Sequence, residues 1–188
     1  MPTDTKTALL MTAERAARTR GFDGFCYADL AESVGIRKAS VHHHFPTKAA
    51  LSVALMHRYH ADKEAACARV DAAETTGGAR LLGLINLYNE ALDGGKSLCL
   101  CVSFSTSRES LPSEVTAQIG RFRMMMIGWL KATFEVGRSD GTIAAVEDPA
   151  AEAAATLPLL EGAQLAARAA ENPAIFECGL KLLRQRLT

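Results

Sequence analysis

The sequence lacks features that define several large classes of protein. Its 188 residues contain no run of 18 apolar residues, so we expect no membrane span and no membrane partner. The start of the chain has no basic stretch followed by an apolar core, so we expect no secretion signal and a cytoplasmic location. The 5 cysteines fit neither a disulfide framework nor a zinc site with paired C-x-x-C ligands, and we expect reduced thiols at Cys26, Cys67, Cys99, Cys101 and Cys178.

The sequence also lacks the motifs of common enzyme sites. It contains no nucleophile elbow, P-loop, dinucleotide fingerprint or HExxH pair. Adjacent residues on a helix point about 100° apart, so His42, His43 and His44 cannot all face one ion. We therefore expect a protein that is not an enzyme and has no catalytic residues, metal site or cofactor.

Charge does not favour nucleic-acid binding by itself, because the formal net charge is +0 at pH 7. Its distribution is slightly uneven. Residues 1–70 hold 10 basic and 7 acidic side chains, whereas residues 71–188 hold 11 basic and 14 acidic ones. This asymmetry is too small to assign a function without a motif.

Helical spacing, abundant alanine and the absence of strand-like alternation predict an all-α chain. One long segment has apolar residues three and four positions apart, at Val115, Ile119, Phe122, Met126, Trp129 or Leu130, and Phe134. Gly77-Gly78 and Gly94-Gly95 are interpreted as loops. We place about nine helices, at residues 4–20, two short ones around Gly35, 48–73, 79–92, one within 97–107, 113–140, 149–170 and one from 172 onward.

The stretch from Phe25 to Leu51 is the most informative part of the chain. It predicts two short helices around Gly35, which can adopt the left-handed conformation that ends the first of them. Pro46 ends the second, and Thr47 is a suitable N-cap for the long helix that follows. Such a pair forms a helix-turn-helix, whose second helix fits the major groove of DNA. The inward apolar positions are Leu30, Ala31, Val34, Val41 and Phe45.

This stretch resembles the DNA-binding head of the TetR family of one-component transcriptional repressors. The resemblance is carried by Leu30-Ala31, Val34-Gly35-Ile36, the run from Ser40 to Lys48, and Leu51, and it covers roughly residues 5–52. Two residues depart from the family pattern. His42 stands where the family often has a tyrosine that touches phosphate. Cys26 stands where a serine or threonine often caps the first short helix, and since a thiol caps poorly, a softer helix start is expected.

The resemblance implies a DNA-binding domain over residues 1–47 and a helical effector-binding and dimerisation domain over residues 48–188. Family members dimerise through their C-terminal helices. The last two predicted helices carry enough small and apolar surface for a four-helix bundle of two copies. A two-fold dimer places two recognition helices about one DNA turn apart, which suits a palindromic operator.

The predicted DNA-binding surface comprises the recognition helix and the start of the next helix. Arg37 and Lys38 lie at the amino-terminal end of the recognition helix, where the helix dipole favours phosphate or base edges. Ala39 has the right size to contact a thymine methyl group. A solvated polar face is the alternative interpretation. The predicted contacts to bases or phosphates are Tyr27, Arg37, Lys38, Ala39, Ser40, His42, His43, Thr47 and Lys48.

In the family, the body helices enclose a ligand pocket. A mostly apolar cavity with one arginine would suit a small hydrophobic or weakly acidic effector. Ordinary core packing is the alternative for methionine and aromatic residues at helical spacing. The residues assigned to this pocket are Tyr88, Phe104, Arg108, Met125 and Trp129.

Cys99 and Cys101 are candidates for a thiol sensor. On a helix the two thiols would point to different sides, and a disulfide between them would be strained. The alternative is that both are small buried apolar residues, as free cysteines usually are.

We therefore expect a DNA-binding transcriptional regulator, a repressor that a small molecule releases from its operator. Its expected partners are double-stranded operator DNA, a second copy of the chain and an unidentified effector. Two alternatives stay open. One is a thiol-based sensor of electrophiles or oxidants that regulates transcription through Cys99 and Cys101. The other is a helical small-molecule binder without a DNA function.

Overall fold

A computed structural model describes residues 4–188. Within this range the chain forms ten α-helices and two single 3-10 turns, at Asp93–Gly95 and Arg108–Ser110, and it forms no β-strand. The prediction of an all-α fold is confirmed. The helices are α1 Thr5–Arg20, α2 Tyr27–Val34, α3 Lys38–His44, α4 Lys48–Ala73, α5 Gly77–Leu92, α6 Leu100–Ser105, α7 Ser113–Asp140, α8 Pro149–Ala169, α9 Ala174–Gly179 and α10 Lys181–Arg184.

The helices form two compact units. The first contains the residues up to Ala61 together with Leu100–Gly120, and the second contains Asp62–Cys99 together with Arg121–Thr188. Both α4 and α7 are continuous helices whose residues belong partly to each unit. The division into residues 1–47 and 48–188 concerns function and stays a prediction.

The first unit is built on the apolar side of α1. Leu9, Ala13 and Ala17 are completely buried there. Ser103 of α6 donates its hydroxyl to the Ala17 carbonyl, a close approach that the small alanines permit. The rings of Phe22 and Phe104 meet edge to face, with their centroids 5.7 Å apart.

Gly35 ends α2 as predicted, with φ +74°. Its amide donates to the Glu32 carbonyl at 3.1 Å, and the Ile36 amide donates to the Ala31 carbonyl at 2.9 Å. These bonds satisfy the last carbonyls of α2. A Cβ at this position would meet no atom within 4 Å, so the backbone conformation, and not a lack of space, favours glycine here.

The predicted start of the long helix is confirmed. Thr47 Oγ1 accepts a hydrogen bond from the Ala50 amide at 3.0 Å and caps α4. The helix has 26 residues. At 1.5 Å per residue it spans about 39 Å.

In the second unit, the interpretation of Gly77-Gly78 as a loop is wrong. Both glycines lie in the first turn of α5, whose N-cap Thr76 accepts a hydrogen bond from the Ala79 amide at 3.3 Å. A Cβ on Gly77 would lie 2.1 Å from the Gly137 nitrogen of α7. The two glycines therefore let two backbones approach closely, a role that composition alone does not distinguish from a turn.

Helix α7 buries the apolar stripe that the sequence predicts. Phe122, Met126 and Phe134 are almost completely buried, and Leu130 rather than Trp129 completes the stripe. The start of α8 is also confirmed, because Asp148 Oδ1 accepts from the Ala150 amide at 2.9 Å.

The prediction of one continuous last helix is wrong. The chain leaves helical geometry at Leu180, with φ −98° and ψ 2°, and this break separates α9 from α10. Leu187 then pairs with Ile143 in an isolated antiparallel bridge. Arg186 bonds both carboxylate oxygens of Glu152, at 2.6 and 2.8 Å, so the end of the chain is held against the start of α8.

The close approach at Gly77 yields a test by paired alanine substitutions. Gly77→Ala is expected to lower the free energy of unfolding by about 1–3 kcal/mol, because the new methyl group has no room beside α7. The matched control is Gly128→Ala at an exposed site in α7, where a Cβ meets nothing. It should raise stability by up to about 1 kcal/mol. Urea unfolding followed by circular dichroism measures both, and equal effects would contradict the packing.

Candidate nucleic-acid interface

Helix α3 has one buried side and one exposed side. Val41 is completely buried and Phe45, which follows the helix, is 3% exposed. Arg37 occupies the N-cap position, and the first turn contains no acidic residue. The exposed side is therefore positively charged at the amino-terminal end of the helix. Of the predicted contact residues, those exposed here are Arg37, Lys38, Ala39, His42 and His43, and Ser40 is half-buried.

Tyr27 holds the two helices of the motif together. Its hydroxyl donates to the Phe45 carbonyl at 2.8 Å, and its ring lies 4.7 Å from the His42 imidazole, centroid to centroid. Burial raises the pKa of Tyr27 to about 12. The sequence assigns Tyr27 to DNA contact, whereas the geometry gives its hydroxyl a protein partner at the end of α3. Its structural role is to position α3.

Lys48 lies partly inside the first unit. Its ammonium donates to the Phe25 carbonyl at 2.7 Å and stands 4.7 and 4.5 Å from the ring centroids of Phe22 and Phe25. Partial burial lowers the pKa of Lys48, although the carboxylate of Asp23 opposes this shift. The predicted phosphate contact stays a prediction, and the structure adds that Lys48 links α4 to the loop before α2.

The start of α2 is capped in spite of its cysteine. The Cys26 amide donates to Asp29 Oδ2 at 2.8 Å, and hydrogen bonding to Cys26 lowers the pKa of Asp29. A carboxylate at the third helical position thus satisfies an amide at the helix start. This bond was not among the predictions, although the spacing from Cys26 to Asp29 matches that of a capping box.

These side chains surround an open pocket of about 270 Å³ between the starts of α2, α3 and α4. Five of the predicted DNA-binding residues line it together with Cys26, namely Tyr27, Lys38, His42, Thr47 and Lys48. Two ammonium groups, an imidazole and a hydroxyl in one pocket suit an anionic group such as a phosphate. The exposed Cys26 also lines this pocket, a position that the sequence did not predict.

The residues predicted to line a ligand pocket fall in both units. Phe104, which is completely buried, and Arg108, which is exposed on a 3-10 turn, belong to the first unit. Tyr88, Met125 and Trp129 belong to the second. Tyr88 is buried, and the Trp129 indole donates to Asp71 Oδ2 at 2.9 Å. Their joint role in binding a ligand stays a prediction.

Cys99 and Cys101 are each only 1% exposed. The Cys99 amide donates to Gln164 Oε1 at 3.1 Å. These positions agree with the interpretation of both thiols as small buried apolar residues, whereas their use as sensors stays a prediction.

The described part of the chain contains no group of three or more histidine, cysteine or acidic residues arranged to hold a metal ion. Within residues 4–188, no helix combines the length and apolar character that crossing a bilayer requires.

Helix α8 carries buried polar residues that the sequence did not predict. Gln164 is completely buried, and its amide also donates to the Tyr88 carbonyl at 2.6 Å. Glu161, one turn earlier, is 7% exposed and forms an ion pair with Arg123 of α7. A glutamate and a glutamine within an alanine-rich segment gave no signal of burial, because side chains of these types are usually exposed.

Comparison with known proteins gives a consistent assignment. The sequence profile of the family described as bacterial regulatory proteins, tetR family, matches residues 9–55. The chain is 26% identical to the HTH-type transcriptional repressor NemR of Escherichia coli (strain K12) over 171 residues, which cover 88% of this chain and 84% of NemR.

Solved structures give the same fold. A TetR-family transcriptional regulator from Agrobacterium tumefaciens superposes with a TM-score of 0.93 at 27% identity and covers 100% of both chains. The reduced form of Escherichia coli NemR superposes with a TM-score of 0.83 at 24% identity and covers 98% of both chains.

The Tyr27 hydroxyl provides a test of how α3 is positioned. Tyr27→Phe is expected to lower the free energy of unfolding by about 0.5–1.5 kcal/mol at pH 7, because the bond to Phe45 is lost. Burial raises the folded-state pKa of Tyr27 from its ordinary value of 10.0 to about 12, so this residue's contribution to stability is complete below pH 10 and is lost as the pH rises towards 12. Urea unfolding of both proteins from pH 7 to 11 measures the difference, which would stay constant with pH if Tyr27 were not buried.

Thiol labelling tests which cysteines face solvent. N-ethylmaleimide should modify Cys26 in the native protein, whereas the buried Cys67, Cys99 and Cys101 should react only after unfolding in urea. Burial, reinforced by Asp71, raises the pKa of the Cys67 thiol to about 11, which further slows its reaction. Peptide mass spectrometry measures each site. Rapid native labelling of Cys99 or Cys101 would contradict their placement and support the sensor alternative.

Proposed function

The chain belongs to the TetR family of bacterial regulatory proteins, and on this premise we propose that it is a homodimeric repressor that a small-molecule effector releases from a palindromic operator. Family membership makes it a DNA-binding transcriptional regulator of the helix-turn-helix type. Members of this family are transcriptional regulators rather than enzymes. We further propose a cytoplasmic location, where such a regulator meets DNA.

The observation that carries the DNA-binding role is the two-sided character of α3. Val41 and Phe45 fix the inner side in the core, so the exposed residues from Arg37 to His43 have a defined direction. A short helix that presents cations at its amino-terminal end suits the major groove. We propose that Arg37 and Lys38 bind phosphates or base edges and that Ala39 and Ser40 contact bases.

The pocket beside α3 supports a second set of contacts, to the phosphate backbone. Lys38, His42 and Thr47 line it together with Lys48. Because Lys48 already donates to a carbonyl of its own unit, we propose that it contributes chiefly a positive charge to this pocket. His42, in the place where family members often have a tyrosine, would donate to a phosphate oxygen.

The dimer is proposed through α8, α9 and α10. Leu159 and Leu165 on α8 are 41% and 43% exposed, and Leu182 on α10 is 77% exposed. Such large apolar side chains are expected to be covered in an assembly. A two-fold pairing of these helices would give two α3 helices for a palindromic site. Repression, rather than activation, is supported by the similarity to NemR, which is named a transcriptional repressor.

Release by an effector requires coupling between ligand binding and DNA affinity. A coupling free energy of about 1–3 kcal/mol changes the affinity about 5–150-fold. Helix α4 is the proposed connection, because it begins at Lys48 beside the pocket and continues without a break into residues of the second unit. The effector must bind the two states unequally, since equal binding would shift nothing.

A thiol sensor acting through Cys99 and Cys101 is the alternative regulatory hypothesis. A solved NemR structure is described as a reduced form. In this chain both thiols are buried, so an electrophile would reach them only after a local opening. This geometry favours a bound effector over a modified thiol.

Substitutions in α3 test the DNA-binding surface. Arg37→Ala and Lys38→Ala should each weaken binding to an operator selected from random duplex DNA, on the order of tenfold at low salt. Each should also reduce the slope of log affinity against log salt by about 1 if the lost contact is to phosphate. Fluorescence anisotropy titrations at several salt concentrations measure both quantities.

The matched control is Arg69→Ala, which removes an exposed cation of α4 far along the chain from α3. It should leave both quantities nearly unchanged. Equal weakening by Arg69→Ala, or unchanged binding by both α3 variants, would show that the assigned surface is wrong.

A further inference from the structure

Glu161 is an unusual residue in the interior of the second unit. Between residues 4 and 188 it is the only charged residue that is buried, with 7% exposure. Its Oε2 pairs with a guanidinium nitrogen of Arg123 on α7. Its other oxygen, Oε1, is buried and accepts no hydrogen bond from the described residues. A buried carboxylate oxygen without a donor is unfavourable, so this atom has an unused capacity to bind one.

The other ion pairs of the second unit differ from this one. The Arg186–Glu152 pair has both side chains partly exposed, at 27% and 21%, and both carboxylate oxygens receive hydrogen bonds. The Arg80–Asp71 pair is also partly exposed on both sides. Solvent can complete the hydrogen bonding of these surface carboxylates, whereas Glu161 Oε1 is a buried atom without a donor among the described residues.

The surroundings of Glu161 on α8 are apolar except for one amide. Leu157 and Leu160, which precede it on the same helix, are completely buried. Gln164, one turn further along, already uses its amide oxygen and nitrogen for the Cys99 amide and the Tyr88 carbonyl. Hydrogen bonds within the chain therefore account for the burial of Gln164. No such bond accounts for the burial of Glu161 Oε1.

We propose that Glu161 Oε1 accepts a hydrogen bond from the effector, which is then a small, mainly apolar molecule that carries a donor such as an ammonium or hydroxyl group. This inference rests on the proposed function, because it names the chemical class of the effector. It also changes the sequence-based expectation of a weakly acidic effector. Arg123 is already neutralised by Glu161, and Arg108 is exposed on a 3-10 turn, so neither provides an unmatched buried cation for an anion.

Four probes that share one aromatic ring separate the chemical classes. Benzylamine carries an ammonium donor, benzyl alcohol a hydroxyl donor, benzoate only acceptors, and toluene no polar group. Calorimetric titration of the wild-type protein should give dissociation constants for the two donors at least tenfold lower than those for benzoate and toluene. Tighter binding of benzoate than of both donors, or no binding of any probe, would overturn the proposal. These titrations need no variant.

Two variants test whether the tighter binding of the donor-bearing probes arises from Glu161. Glu161→Gln keeps the size and one acceptor but removes the charge, so it should weaken benzylamine binding about tenfold and benzyl alcohol binding less. The matched control is Glu152→Gln, a partly exposed carboxylate on the same helix, which should change neither constant by more than about twofold. Unchanged benzylamine affinity in a folded Glu161→Gln protein would overturn the proposal.

DNA binding separates a failure of this inference from a failure of the proposed function. Without a probe, wild-type protein and Glu161→Gln should bind the selected operator with equal affinity, and the benzylamine concentration that weakens this binding should be about tenfold higher for Glu161→Gln. If the wild type binds operator but none of the four probes, the effector class is wrong and the DNA-binding function stands. If the wild type binds no DNA, the proposed function itself is wrong.

Discussion

The orientation of α3 depends on burial of its inner side, because the helix is too short to be stable alone. It has seven residues, whereas isolated helices shorter than about 12–15 residues are marginal in water. Val41 and Phe45 supply the packing, and the Tyr27 hydroxyl ties the end of α3 to the start of α2. The exposed cations acquire a fixed direction only through these contacts. Under the proposed function, the core of the first unit is thus also the basis of DNA binding.

Lys48 extends the same principle to the long helix. A lysine at the start of the helix that follows a helix-turn-helix would ordinarily be regarded as a phosphate ligand. Here its ammonium is placed against the Phe25 carbonyl and two aromatic rings, so one side chain both closes the core of the first unit and adds charge to the pocket. A signal that displaced the start of α4 would therefore alter the pocket and the support of α3 together.

The sequence predicted those elements whose causes are local. Gly35, Pro46 and Thr47 end or begin helices by their own backbone and capping chemistry, and the spacing from Val115 to Phe134 depends only on helical periodicity. It failed where the cause is a distant residue. Gly77 has the sequence context of a loop glycine, and its role follows only from the position of Gly137 beside it. The hydrogen-bond partners of Tyr27, Lys48 and Glu161 are 18, 23 and 38 residues away along the chain. Contacts at such separations leave no periodic pattern in a single sequence.

The most direct measurement of the central claim is the structure of the protein bound to its selected operator. The account predicts two protomers on a palindromic site, with the amino-terminal end of each α3 in the major groove. Arg37 or Lys38 should lie within hydrogen-bonding distance of a phosphate or base edge, and the pocket beside α3 should hold a backbone phosphate. A complex in which α3 faces away from the DNA, or in which a single protomer binds through another surface, would contradict it.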